Sequence, residues 1–450
     1  MKKKIISALL LTTLVVGMVT GCGNNATQSQ AGNETVKETD KEVAQETDKE
    51  TKSEDVELTM LVGTDVSSAG TEAVIALAKE KLGITVVIEK RVGGPEGDNI
   101  VKTRLASGDM TDLCGFNSGS LLSALNPSEY FIDISNEPWM ERLNDTFIEA
   151  VTVDGATYGI PATSSNVGGI LYNKDIYAKY NLEIPKTWDE FLANCETIKA
   201  GGDTAIIGTF ADAWTTQVLF LGDHYNIMQA EPTFAEQFQA GKMKYATTEA
   251  ALESFQKVAD TVPYYNSDYL ATTFNDGCDM IANGEGAHWP IISIALSNIY
   301  ETYGEEGVNK IGVFGVPGKE DTGLTAWMPM AFYGNKNSEK IDDIKRFMEF
   351  YISDEALDAY AAALLPDGPY CVKNYSIPDN AYDAVKEMQA EYFDTGKNAM
   401  AIEFQTAVKG PNLPAFCQEV LTGQSTPKEA AEAYDADALK QAIQLGLDWE

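Results

Sequence analysis

The chain has 450 residues and carries 68 acidic side chains against 33 Lys and Arg, a formal net charge of −35. That balance excludes a nucleic-acid ligand, because phosphate contacts need basic patches. Only four arginines occur, Arg91, Arg104, Arg142 and Arg346. Bidentate capture of phosphate or carboxylate relies on guanidinium, so a neutral solute is favoured. Two histidines, His224 and His288, argue against a transition-metal site, and nothing calls for a cofactor.

Met1 to Gly21 is an export signal: Lys2, Lys3 and Lys4 lead an apolar run from Ile5 to Val19 that is short for a membrane span. It ends Val19-Thr20-Gly21-Cys22, which resembles the lipobox of bacterial lipoproteins. The resemblance implies that Cys22 becomes the lipidated (palmitate-bearing) first residue of the mature chain, the only attachment to a membrane. Residues 22–55 follow as an acidic tether without aromatics, with ETDKE at Glu38–Glu42 and again at Glu46–Glu50. Such a segment cannot bury enough apolar surface to offset chain entropy, and as a random coil it reaches on the order of 30 Å.

The body from Val56 onward is too long for one core and predicts two lobes. Strands at Glu57–Val62, Ile84–Ile88 and Asp112–Phe116 alternate with helices at Gly70–Leu82 and Asp98–Ala106. This βαβαβ order predicts a parallel sheet with right-handed crossovers and ligand loops at the strands' carboxyl ends. Those loops are Gly63-Thr64-Asp65, Glu89-Lys90-Arg91 and Phe116-Asn117-Ser118. Next comes Asp154–Asp175, in which an Asp154-Gly155 turn precedes an extended segment interrupted by Ser164-Ser165-Asn166 and Gly168-Gly169. Glycines beside hydrogen-bonding side chains suit a crossing strand that a ligand approaches closely. After Cys22 five cysteines remain (Cys114, Cys195, Cys278, Cys371, Cys417), an odd set with no CxxC pair, read as small buried hydrophobes.

Seven motifs then fall in register: RLASGDMTDLC (Arg104–Cys114), DGATYGIP (Asp154–Pro161), LYNKDIY (Leu171–Tyr177), PKTWDEF (Pro185–Phe191), FNDGCDMIANGEGAHW (Phe274–Trp289), KIGVFGVPG (Lys310–Gly318) and KIDDIKRFMEFYISDEALDAY (Lys340–Tyr360). Together they resemble the extracellular solute-binding proteins of ABC importers, in the maltose- and oligosaccharide-binding branch. Departures from the family pattern are Thr111 before Asp112, where proline is common, and Cys278-Asp279-Met280.

The resemblance implies an α/β, two-lobe, periplasmic-binding-protein-like fold of type II, with three interlobe crossings near Val167, Pro317 and Pro366 and a ligand cleft between the lobes. Lobe one would be 56–167 with 318–365, and lobe two 168–317 with 366–450. The function implied is a monomeric binding protein, not an enzyme, that captures a neutral carbohydrate by hinge closure and passes it to a membrane permease. A sugar presents apolar C–H faces and a rim of hydroxyls, so its site needs aromatic platforms and short polar groups. Trp289 stands where the family places a sugar-stacking tryptophan, and Trp214 aligns with a cleft aromatic. Trp327 is placed in the strand returning to lobe one, as core or contact. Asp65, Glu89, Asn166 and Asp212 align with cleft-rim positions, Asn117 is a further polar candidate, and Phe116 corresponds to an aromatic wall. Lys90 and Arg91 are the alternative partners of Glu89. Trp188, in a Thr187–Glu190 capping box, together with Trp139 and Trp449, reads as structural. Competing readings are the same fold binding a polyamine, peptide or anion, and a glycoside hydrolase with two carboxylates across the bond.

Overall fold

The computed structural model describes residues 56–64, 67–92 and 94–449. The export signal, Cys22, the tether and Asp65 lie outside them.

Strand β1 (Val56–Gly63), helix α1 (Ala69–Leu82), strand β2 (Ile84–Arg91), helix α2 (Gly94–Ser107) and strand β3 (Leu113–Phe116) form the opening unit. β1 pairs in parallel with both β2 and β3, as the βαβαβ pattern predicts. α1 turns Val74 and Ala78 inward and ends at Gly83, whose φ of 71° supplies the left-handed cap that a side chain resists. β2 continues to Arg91, which pairs with Gly63, so Glu89-Lys90-Arg91 is strand rather than loop. The short helix α3 (Ser120–Ser123) follows β3.

The hairpin β4 (Thr152–Val153) and β5 (Ala156–Thr157) turns on Asp154-Gly155, both with positive φ. Then come β6 (Gly159–Pro161), β7 (Asn166–Asn173), β8 (Thr204–Ile206), β9 (Gly286–Ile292), β10 (Ile311–Phe314), β11 (Leu324–Trp327), β12 (Ala331–Gly334) and β13 (Asn398–Met400). The first large sheet has the order β2-β1-β3-β12-β6, and the second β13-β11-β7-β9-β8, with β10 also on β7.

The chain therefore passes between sheets at 162–165, at 328–330 and again between β12 and β13. The first passage lies just before Val167, inside the Ser164-Ser165-Asn166 run. The second lies well beyond Pro317, where the sequence places it. β10 covers residues 170–173 of β7 and β11 covers 166–168, so Pro317 sits only in a loop between two strands of one sheet. Trp327 accordingly ends a strand of the second sheet. In the third passage Ser165 N–H and Oγ both donate to the Pro369 carbonyl, each at 2.8 Å.

Two apolar clusters hold the body together. One fills the first sheet and continues through Val167 and Leu171 to one face of the second, taking in Trp289 and Ile291. The other covers the opposite face of the second sheet, around Phe191, Phe220, Phe255 and Tyr434. All five described cysteines are free and buried.

Candidate functional site

On the second sheet an aromatic ladder runs from surface to core. Trp214 is 38 % exposed, its ring centroid is 5.4 Å from that of Phe274, and Phe274 is 5.4 Å from Trp289. Trp289 is only 1 % exposed. It does not end a turn: it is the fourth residue of β9, opposite Leu171, with its indole N–H donating to Thr209 Oγ1 at 3.3 Å. A methyl group on Gly277 would stand 2.6 Å from its ring, so that glycine is what lets the indole pack inward. Trp289 is thus a core residue, and it is Ser293, just past the end of the strand, that exchanges hydrogen bonds with Val167 on the hinge side. Asp212 sets the ladder's geometry, accepting from the Phe274 N–H at 2.7 Å.

On the first sheet Phe116 is 1 % exposed, pairs with Ala331 and carries the Arg91 guanidinium 5.9 Å from its ring centroid. It is a buried support, not a wall open to solute. Asn117 is half-buried, and its carbonyl accepts from the Tyr333 hydroxyl at 3.1 Å. Glu89 pairs with Arg104 at 2.8 Å, a partner the sequence reading did not single out, and neither Lys90 nor Arg91 takes that place.

Asn166 and Trp327 meet where the first and second passages converge. They are register partners of β7 and β11. The Trp327 ring lies on Gly168, where an added Cβ would be 2.4 Å from it, so a side chain there would displace the indole. Its N–H donates to Glu403 Oε2 at 2.6 Å, and Glu403 is also ion-paired with Lys409. Asn166 Oδ1 is buried and has no hydrogen-bond partner. A lone acceptor of this kind costs about 1–3 kcal/mol, a cost that an O–H or N–H donor relieves.

Sequence reasoning missed the residues that close this place. They come from the short helix Ile402–Gln405, where no local motif marks them. Ser120 Oγ of α3 donates to the Glu403 carbonyl at 3.0 Å, and Gln405 Oε1 lies 2.8 Å from His224 Nε2. Burial raises the Glu149 carboxyl above its ordinary range, and the Gln405 amide partly offsets the shift. Nearby, Thr146 donates to Asn398 Oδ1 at 2.8 Å, again joining a helix after the first sheet's opening unit to β13. Contacts of this set can only form when the two sheets' loops approach each other.

A cavity of about 750 Å³ lies elsewhere. It is lined by Trp188, Asp223, Asn226, Lys257, Asp260 and the loop around Lys319, and by none of the predicted binding residues. All its lining belongs to segments around the second sheet, so closure of one sheet's loops on the other's would not seal it. Trp188 here starts a helix through the predicted capping box and donates to Asp260 at 3.0 Å, the structural role read from sequence. Among the described residues no group of acidic, His or Cys side chains is arranged to hold a metal ion. No helix among them is long and apolar enough to cross a membrane.

The chain is similar to known proteins in sequence and in fold. It is 22 % identical to the multiple sugar-binding protein of Streptococcus mutans over 60 % of this chain and 65 % of that one, just under two thirds of the relative's length. To the melibiose/raffinose/stachyose-binding protein MelE of Bacillus subtilis it is 22 % identical, over 71 % of this chain and 76 % of that one. The apo form of RafE from Streptococcus pneumoniae superposes with a TM-score of 0.73 at 21 % identity, covering 86 % of this chain and 98 % of that one. That likeness supports the two-lobe, type II arrangement of α/β lobes around a cleft. A family model for bacterial extracellular solute-binding proteins matches residues 72–390, and this chain belongs to that family.

Proposed function

We propose that the protein captures an extracellular carbohydrate, a neutral oligosaccharide, by closure of two lobes and delivers it to the membrane permease of an ABC importer. The single observation that carries this reading is the buried, unpartnered Asn166 Oδ1 beside the Trp327 ring at the junction of two passages. An acceptor awaiting a donor next to an indole suits a sugar hydroxyl with its C–H face against the ring. The relatives named for multiple sugars and for melibiose, raffinose and stachyose favour sugar over the polyamine, peptide and anion readings. Trp214, Asn117 and Asp212 would line the approaches to this place, and Glu89 its rim.

In this reading lobe one comprises 56–165 and 329–365, and lobe two 166–328 and 366–449. A solute that touches both favours the closed over the open arrangement, shifting a two-state equilibrium. The protein acts as a monomer, held at the extracellular face of the membrane by lipid on Cys22 and the tether of residues 22–55. Intrinsic tryptophan fluorescence titrated with melibiose, raffinose and stachyose tests the reading. A saturable response in the wild type that is weakened up to about tenfold in Asn166→Ala supports it, the loss expected for one neutral hydrogen bond. No response to any of the three sugars sinks it.

A further inference from the structure

We propose that Glu403 is the positioning residue of the binding platform, and that it transmits closure of the lobes to the Trp327 indole. This rests on the reading that Trp327 and Asn166 contact the solute.

Three contacts converge on the short helix Ile402–Gln405. The Glu403 carboxylate accepts the Trp327 indole N–H at 2.6 Å and is countered by Lys409. An indole on a strand end has one N–H, and a charged acceptor fixes the ring plane more firmly than a neutral one. The Glu403 backbone carbonyl accepts from Ser120 Oγ, which belongs to the helix after β3. Phe404, the next residue, lies against Gly119, where an added Cβ would stand 2.6 Å from the Phe404 Cβ. Gly119 has φ of 68°, so both its backbone and its bare Cα are required for this approach.

The same residue therefore grips the platform with its side chain and the opposite lobe with its main chain. When α3 withdraws from Ile402–Gln405, Glu403 loses its second anchor and the indole its fixed plane. A flat C–H face of a sugar needs that plane beside the Asn166 acceptor, so orientation and closure become one equilibrium. Glu403 does not act alone on affinity. It acts through Trp327.

The test uses the mature chain labelled with ¹⁵N on its tryptophan indoles, with the Trp327 line assigned by its loss in Trp327→Phe. In raffinose titrations Glu403→Ala is expected to weaken binding at least tenfold, the worth of a hydrogen bond to a charged group. Glu403→Gln restores most of it, since the amide oxygen still accepts from the indole N–H. In the sugar-free chain, Ser120→Ala and Gly119→Ala are expected to shift the Trp327 indole line although neither touches the ring. Wild-type affinity in Glu403→Ala, or a loss in Glu403→Gln equal to that in Glu403→Ala, overturns the inference. An unmoved Trp327 line in both Ser120→Ala and Gly119→Ala overturns it too. If the wild type binds none of the sugars, the function reading fails, and the line shifts still decide the link between α3 and Trp327.

Discussion

Ser165 donates through both its backbone N–H and its hydroxyl to the Pro369 carbonyl, at 2.8 Å each. Two passages between the sheets are thereby tied to each other at a single oxygen. Around it, Tyr351 donates to the Ala162 carbonyl at 2.8 Å, and Tyr360 to Thr163 Oγ1 at 2.8 Å. The hinge is a small bundle of buried polar contacts, not a loose linker.

Ser165→Ala removes one of the two donors and is expected to lower stability by about 1 kcal/mol. Gly368→Ala is expected to cost more, about 2–3 kcal/mol, because its Cβ would fall 1.9 Å from the Ser165 carbonyl oxygen and the backbone must shift. Urea unfolding of both variants measures the order. Equal midpoints would show that the passages tolerate displacement.

Lys257 and Asp223 form a buried ion pair, with Lys257 also donating to the Pro317 carbonyl at 2.9 Å and Asp223 accepting from Ser254 at 2.8 Å. Lys257→Met leaves the carboxylate buried without its counter-charge, at an expected cost of about 3–5 kcal/mol. Sugar affinity at a permissive temperature is expected to stay unchanged, since the pair lies by the separate cavity. A fluorescence titration together with a thermal melt checks both halves.

Trp214 and Trp289 separate binding from packing. Trp289→Ala empties a core position and is expected to destabilise by about 3–5 kcal/mol. Trp214, 38 % exposed, is expected to cost under about 1 kcal/mol on truncation while weakening raffinose binding. Paired urea melts and titrations distinguish them. A Trp214→Ala variant with unchanged affinity would remove that residue from the site.

Burial lowers His224 and His288 to about 4, and it raises Asp367, beside Ser164, to about 6. As pH falls from about 6.5 to 4, the unfolded chain binds protons that the two folded imidazoles refuse. Stability declines by about 3 kcal/mol per histidine. Asp367 works the other way: the folded carboxyl takes its proton near pH 6 and the unfolded one only near 4, so this group adds stability as pH falls through that window. The net expectation is a loss on acidification. Asp367→Asn is expected to be more stable than wild type at pH 7 and to lose stability more steeply between pH 6 and 4. Thermal melts at pH 7, 5.5 and 4 read both differences.

Local chemistry settled much of this protein in advance. The acidic balance and scarcity of arginine set the solute class to consider, and the order of seven motifs pointed to the fold that the family match supports. Thr187 with Glu190 forms its capping box, and Asp154-Gly155 takes the positive φ of a turn, because both depend on neighbours three residues apart or fewer. What lay beyond reach depended on pairing between distant segments. Only the register of β9 on β7 turned Trp289 inward, and only the joint use of β7 by β10 and β11 moved the second passage to Met328–Met330. Glu403 joined Trp327 and Ser120 from 76 and 283 residues away, a choice made by the fit of whole elements rather than by any spacing along the chain.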